Sequence, residues 1–359
     1  MADYYVTTSG SDSNTGLSEA LAFASPGKAC ATATTSGDRI FVKSGTYALT
    51  STTNNANGGR FTLAVGVRME GYNSTIGDLG TAPVISAGSL TSFTMCTLNA
   101  SFNVRPAQLV NIEFNGQSNS AVVGVNNAAI YTRFISKVLV RNCTTGFSGT
   151  ISDGCLFNCS AISCGTGFLN QYALIGCIAR SCSSFGFDKY QTAIHCIAAN
   201  NGNTGFRSVN TIGSATVNCT SHGNTNYGFE LSYDIGIIGN CIATSNTLHG
   251  YSLGGSSPNG MPCFNNANWS NTSGANRFAS AVEIGQINLS ANPFTDSTNL
   301  DFTLNNTAGG GALLRSAGFP GSILGGNAGF LDVGCYQASA GGGGGGLILS
   351  RAMNGGYSA

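Results

Sequence analysis

Between residues 139 and 253 the apolar positions come in short runs, rich in Ile, Val, Leu and Phe and interrupted by Asn, Gly and Ser. The runs return at a fixed interval. A Gly-aromatic step occurs at Gly146-Phe147, Gly167-Phe168, Gly186-Phe187, Gly205-Phe206, Gly228-Phe229 and Gly250-Tyr251, with the aromatic residues 21, 19, 19, 23 and 22 positions apart. Upstream of each step a short apolar run carries a cysteine: Cys143, Cys159, Cys177, Cys196, Cys219 and Cys241. A unit of about 20 residues with β-branched runs predicts short strands joined by turns, whereas a helical repeat would need a longer run of 3.6 periodicity in each unit. The pattern therefore predicts an all-β, right-handed parallel β-helix. Equivalent residues of successive coils then stack about 4.8 Å apart. The expectation is one internal cysteine ladder and one internal aromatic ladder.

Strand-like segments continue toward the N-terminus at Arg39 to Val42, Phe61 to Leu63, Val67 to Met69, Pro83 to Ser86 and Leu109 to Phe114, giving about a dozen coils in all. The expected organisation is an N-terminal strand and cap over residues 1–36, with the alanine-rich stretch 17–33 as a short helix. The solenoid runs over 37–291 and a closing cap over 292–337. A glycine linker follows at 338–346 and a docking tail at 347–359. In the tail Leu347, Ile348, Leu349, Met353 and Tyr357 are the candidate anchors.

Composition narrows the function classes. Charged residues make up 8% of the chain, against about a quarter in an average domain, and apolar residues 42%, so the chain folds around a core. Formal charge is zero and no Lys/Arg cluster occurs, which argues against nucleic acid and against an anionic membrane as partners. The opening residues lack a basic and an apolar region, predicting a soluble chain without a signal peptide. Thirteen cysteines cannot all pair within one chain. Their periodic placement predicts buried thiols, and the spacings among Cys155, Cys159, Cys164, Cys177 and Cys182 are weak as a zinc motif. No metal and no cofactor is implied.

Tyr4-Tyr5-Val6 with the stretch Gly10 to Gly16, then Gly37-Asp38-Arg39-Ile40-Phe41-Val42-Lys43-Ser44-Gly45-Thr46-Tyr47, resembles the opening of pectate-lyase-like right-handed β-helix proteins. Asp301-Phe302-Thr303-Leu304 and Asp332-Val333-Gly334-Cys335-Tyr336-Gln337 are similar to the closing end of that superfamily. The resemblance implies the fold. It does not choose among the polysaccharide lyases, glycoside hydrolases and virion proteins that share it.

The position after the Gly-aromatic step reads Ser148, Leu169, Asp188, Arg207, Glu230, Ser252. On consecutive coils Asp188 and Glu230 would stand about 10 Å apart with Arg207 between them, near the upper end of the spacing of an inverting glycosidase pair. The competing reading is a charge ladder in which Arg207 neutralises both neighbours. Tyr172, Tyr190 and Tyr233 are candidates for a sugar-stacking surface. None of His195, His222 and His249 sits beside a nucleophile motif.

The sequence reading favours a non-enzymatic bacteriophage virion component: a capsid decoration or cement protein, or a tail spike or fibre. Such a protein would form a homotrimer, anchor to a larger assembly through its C-terminal tail, and reside in the virion. The alternative is a polysaccharide lyase or glycoside hydrolase acting on a cell-surface or extracellular glycan, with an extracellular location.

Overall fold

A computed structural model describes residues 1–99, 106–127, 134–150, 154–208, 214–231, 236–253, 262–274, 276–277, 282–315, 317–318 and 332–337. The chain forms two compact units, residues 1–173 and 174–359. Both are stacks of coils whose strands pair in parallel, a right-handed parallel β-helix.

In the first unit Asp3–Val6 pairs with Arg39–Lys43, that strand with Arg68–Tyr72, and that in turn with Gln108–Val110. A separate stack runs through Thr46–Ala48, Val84–Ser86, Glu113–Asn115, Leu139–Arg141 and Ser160–Ile162. Asp38 explains the Gly-Asp turn of the opening motif. Gly37 adopts φ +98°, and the buried Asp38 carboxylate accepts from the Ala2 and Thr35 amides at 2.8 and 3.1 Å, fixing the entry to the strand. Helix Pro26–Thr32 falls inside the alanine-rich stretch. Ser25 caps it by accepting from the Lys28 amide, and proline begins its first turn, where no N–H is needed.

In the second unit each coil contributes three strand segments. The first stack holds the aromatic steps: Phe206–Ser208, Phe229–Leu231 and Tyr251–Leu253, following the start of Phe187–Ile194. The second holds the end of Phe187–Ile194, then Ser214–Val217, Gly236–Gly239, Pro262–Phe264 and Val282–Ile284. The third runs through Ile178–Arg180, Ile197–Ala199, Thr220–His222, Ile242–Thr244, Ala267–Trp269 and Ile287–Asn288. Third-stack strands are three residues or fewer because left-handed residues bracket them. Asn218 and Gly223 flank one, Asn240 and Ser245 the next, and Asn265 and Ser270 the third, all with φ between 47° and 64°. Asparagine, serine and glycine accept this conformation at low cost, which is why the turns are rich in them.

The aromatic ladder is present in both units. Phe187, Phe206, Phe229 and Tyr251 stack nearly parallel with centroids 4.6, 4.9 and 5.1 Å apart, and Phe147 lies 4.8 Å from Phe168. The glycine before each ring has a steric cause. A Cβ on Gly205 would stand 2.5 Å from Ser221 Oγ and 2.8 Å from Asn224 Nδ2, and one on Gly228 would stand 2.5 Å from the Gly250 carbonyl.

The cysteines do not form the single ladder expected from the sequence. The register Leu139↔Ser160 places Cys143 beside Cys164, while Cys159 belongs to a different position in the coil. In the second unit Cys196, Cys219 and Cys241 each lie two residues beyond a second-stack strand, with thiols within 3.5 Å of carbonyls on their own and the preceding coil. None of the thirteen cysteines is in a disulfide. Cys196, Cys219 and Cys241 are fully buried and point at backbone carbonyls, so they are packing groups.

An asparagine ladder went unpredicted. Asn201, Asn224 and Asn246 are fully buried or nearly so, and each side chain donates at 2.9–3.0 Å to the Oδ1 of the next, ending at Asn271. The same oxygens accept the backbone N–H of Cys182, Asn201, Asn224 and Asn246. Turn amides that would be orphaned inside the coil are thereby satisfied.

The described residues of the segment 292–337 depart from the coil. Strands Phe294–Asp296 and Asp301–Leu304 pair antiparallel. Phe294, Phe302, Leu304, Leu314, Val333 and Tyr336 are buried against Ile197, Ile242 and Ala267 on the outer side of the third stack. Gly334 donates to the Asn240 carbonyl at 2.7 Å and the Cys335 amide to Thr220 Oγ1 at 3.2 Å. The described part of this segment thus lies along a flank of the coils.

Candidate functional site

The charged column is built by strand alternation. Phe187, Phe206 and Phe229 point into the coil, so the residue after each points outward, and the registers Asp188↔Arg207↔Glu230 and Glu230↔Ser252 place these residues on successive strands.

Arg207 does not divide itself between the two acids. Its Nε and Nη2 donate to the two Asp188 oxygens at 2.8 and 3.0 Å, and its guanidinium lies 3.7 Å above the Phe185 ring. Glu230 accepts instead from Thr204 Oγ1 at 3.2 Å. Asp188 is buried, with its side chain 7% exposed, while that of Arg207 is 25% exposed. The arrangement is a braced cation. Asp188 and Phe185 fix the plane of the guanidinium, leaving Nη1 of Arg207 and Oε1 of Glu230 without partners among the described residues. Such a pair can bind an anionic group and move a proton beside it.

The tyrosines separate. Tyr172 is 40% exposed. Tyr190 is buried at 1%, with its hydroxyl 2.8 Å from Thr216 Oγ1, so it cannot stack on a sugar. The cause is local: Lys189 takes φ +58°, which breaks alternation within Phe187–Ile194 and turns Tyr190 inward. Tyr233 and the tail residues Leu347, Ile348, Leu349, Met353 and Tyr357 lie outside the described residues.

Two histidines sit beneath the 292–337 segment. His195 Nδ1 lies 3.2 Å from the Cys335 carbonyl, and burial lowers its pKa. His222 packs against Phe294 and Phe302 with Nδ1 2.8 Å from Thr244 Oγ1, and burial pushes its pKa down to about 4. Both therefore belong to the cover. Among the described residues no three His, Cys, Asp or Glu side chains converge as a metal cluster. In the first unit a groove of about 250 Å³ is lined by Asp12, Ser25, Tyr47 and Leu49. Its one carboxylate, Asp12, already accepts from the Ala24 and Ser25 amides and Ser25 Oγ.

No sequence-family description matches the chain, and no curated protein is similar to it. Solved structures are similar in fold. The crystal structure of pectate lyase Pel9A superposes with a TM-score of 0.61 at 18% identity, over 94% of this chain and 96% of that one. A rhamnogalacturonan lyase follows at a TM-score of 0.45 and 17% identity, over 76% and 75% of the two chains. Geobacillus virus E2 ORF18 gives 0.42 and 15%, over 72% and 55%. The pectate lyase match, spanning nearly all of both chains, establishes a pectate-lyase-like parallel β-helix fold.

Proposed function

Starting from a pectate-lyase-like β-helix, we propose that the chain is a polysaccharide-cleaving enzyme, a lyase or glycoside hydrolase, working at Arg207 and Glu230. The observation that carries this reading is the edge of the braced Arg207 guanidinium and the Glu230 carboxylate oxygen that have no partner among the described residues, on an outward sheet face. The fold shared with a pectate lyase supports it.

In the lyase form, the Nη1 edge of Arg207 holds the carboxylate of an acidic sugar and stabilises the charge that develops when the adjacent C–H proton passes to Glu230. The C–O bond at the next carbon then breaks, leaving a C=C bond, and the departing oxygen is protonated from water. In the hydrolase form, a protonated Glu230 gives its proton to the leaving oxygen as the anomeric C–O bond breaks, while a water adds to that carbon and releases its proton to solvent.

The wild-type chain is tested against acidic and neutral polysaccharides, reading ultraviolet absorbance of unsaturated products and new reducing ends. Product from at least one glycan is expected. No product across the panel would sink the proposal.

A second reading is the non-enzymatic virion component, a homotrimer attached to a capsid or tail. It is favoured by the full engagement of Asp188 by Arg207, the form taken by a pair that only stabilises a sheet face. The two readings part on the same assay.

A further inference from the structure

We propose that the outward apolar face formed by Ile194, Val217, Ile237, Phe264 and Ile284 is the seat of this chain's own Leu347-Ile348-Leu349 segment, bound within the same molecule.

The face lies on the second stack of the second unit. Its registers align Ile194 with Val217, Ala215 with Ile237, and Phe264 with Ile284. Ile237 is 43% and Ile284 54% exposed, among the largest apolar exposures of the described residues. Contiguous apolar surface of this kind marks a site of contact.

The same unit shows how such a face is covered. The third stack also presents an outward aliphatic column, Ile197, Ile242 and Ala267, and later residues of the chain bury it from Phe294 to Tyr336. The last described residues of that covering segment lie at the boundary between the two faces. Gly334 is bonded to Asn240 and Cys335 to His195, and these two partners directly follow Gly239 and Ile194 of the second stack.

Beyond Gln337 the sequence continues for 22 residues, beginning with nine from Ala338 to Gly346 that include six consecutive glycines. A glycine-rich stretch of that length has a root-mean-square span of about 17 Å. The coil of Ile284 lies two coils beyond that of Asn240, or about 10 Å along the stack. The aliphatic triplet after the linker matches the apolar side chains of this face. Tethering at this range gives an effective concentration in the millimolar range, which favours the chain's own segment over that of a second copy.

The test places a photoreactive benzophenone side chain at Ile348 of the full-length protein, mixes isotope-labelled and unlabelled chains, irradiates, and maps the adducts by mass spectrometry. Adducts within one isotope form, on peptides carrying Ile237, Phe264 or Ile284, are expected. Adducts between labelled and unlabelled chains would assign the segment to a second copy and overturn the proposal. Adducts confined to other surfaces, or their absence, would overturn it as well. Adding Ile237→Asp with Ile284→Asp is expected to lower the intramolecular yield on the order of tenfold, with circular dichroism unchanged. Undiminished yield in that variant also counts against the face.

Discussion

Asp3 with Arg39 in the first unit and Asp188 with Arg207 in the second are the same construction. In each, an aspartate and an arginine face one another on neighbouring parallel strands and form two hydrogen bonds, at 2.8 and 2.6 Å in the first and 2.8 and 3.0 Å in the second. In each the guanidinium lies over a phenylalanine, 5.2 Å from Phe41 or 3.7 Å from Phe185. Their surroundings differ. The side chains of Arg39 and Asp3 are 53% and 36% exposed, those of Arg207 and Asp188 25% and 7%. The next residue in the first column is Arg68, already paired with Glu70 on its own strand, whereas the next residue in the second is Glu230, which pairs with no cation among the described residues. An identical pair can thus serve as surface trim in one place and as a half-buried brace beside a carboxylate that pairs with no cation among the described residues in another. Burial and the third residue decide which.

The largest contrast is expected from deleting the two cations. Arg207→Ala leaves Asp188 buried and unpaired, and is expected to cost about 2–4 kcal/mol in urea unfolding together with all glycan cleavage. A loss no larger than that of Arg39→Ala would erase the difference between the two clamps.

Next in size is the asparagine ladder, which holds the coils that carry the second clamp. Asn224→Ala orphans the Asn201 amide and is expected to destabilise by about 2–3 kcal/mol. Hydrogen exchange should accelerate at Asn201 and Asn224 while the strands around Arg39 stay protected.

Acid should weaken the second unit more than the first, because His195 and His222, both with pKa lowered by burial, lie in the second. His222 is held neutral down to about pH 4 by burial, against an unfolded value of about 6.5. A group with a lowered folded pKa gives its full stabilisation above the unfolded value and loses it as pH falls toward the folded one. Between pH 6.5 and 4 the second unit should therefore weaken, seen as faster exchange in Ile242–Thr244 and Phe294–Asp296, and His222→Asn should flatten that dependence. Thr244, Phe294 and Phe302 face this ring, and none carries a charge to offset its protonation.

The smallest effect is Arg39→Ala. An exposed pair contributes about 0–1 kcal/mol, so the unfolding midpoint should barely move and cleavage should not change.

The coil and the register of the charged column were legible because both come from one repeating step, a glycine against an asparagine and a ring stacked on a ring. The cysteine columns were not. Cys143 and Cys159 each come after an apolar run, but the runs belong to different strands of the coil, and only the pairing of Leu139 with Ser160 reveals this. Tyr190 was misplaced because a single left-handed residue, Lys189, reverses the face of the residues after it. The asparagine ladder did leave a signal, an asparagine four residues before Gly205, Gly228 and Gly250. The choice of Asp188 over Glu230 by Arg207 left none, since the repeat puts both acids one strand away from it.

Comparing glycan cleavage by wild type, Glu230→Gln and Arg39→Ala tests the central claim most directly. Glu230→Gln keeps the shape and the Thr204 contact but removes the proton acceptor. It is predicted to lower turnover by about 100-fold or more with an unchanged unfolding midpoint, while Arg39→Ala retains wild-type turnover. Full activity in Glu230→Gln would contradict the assignment of the site.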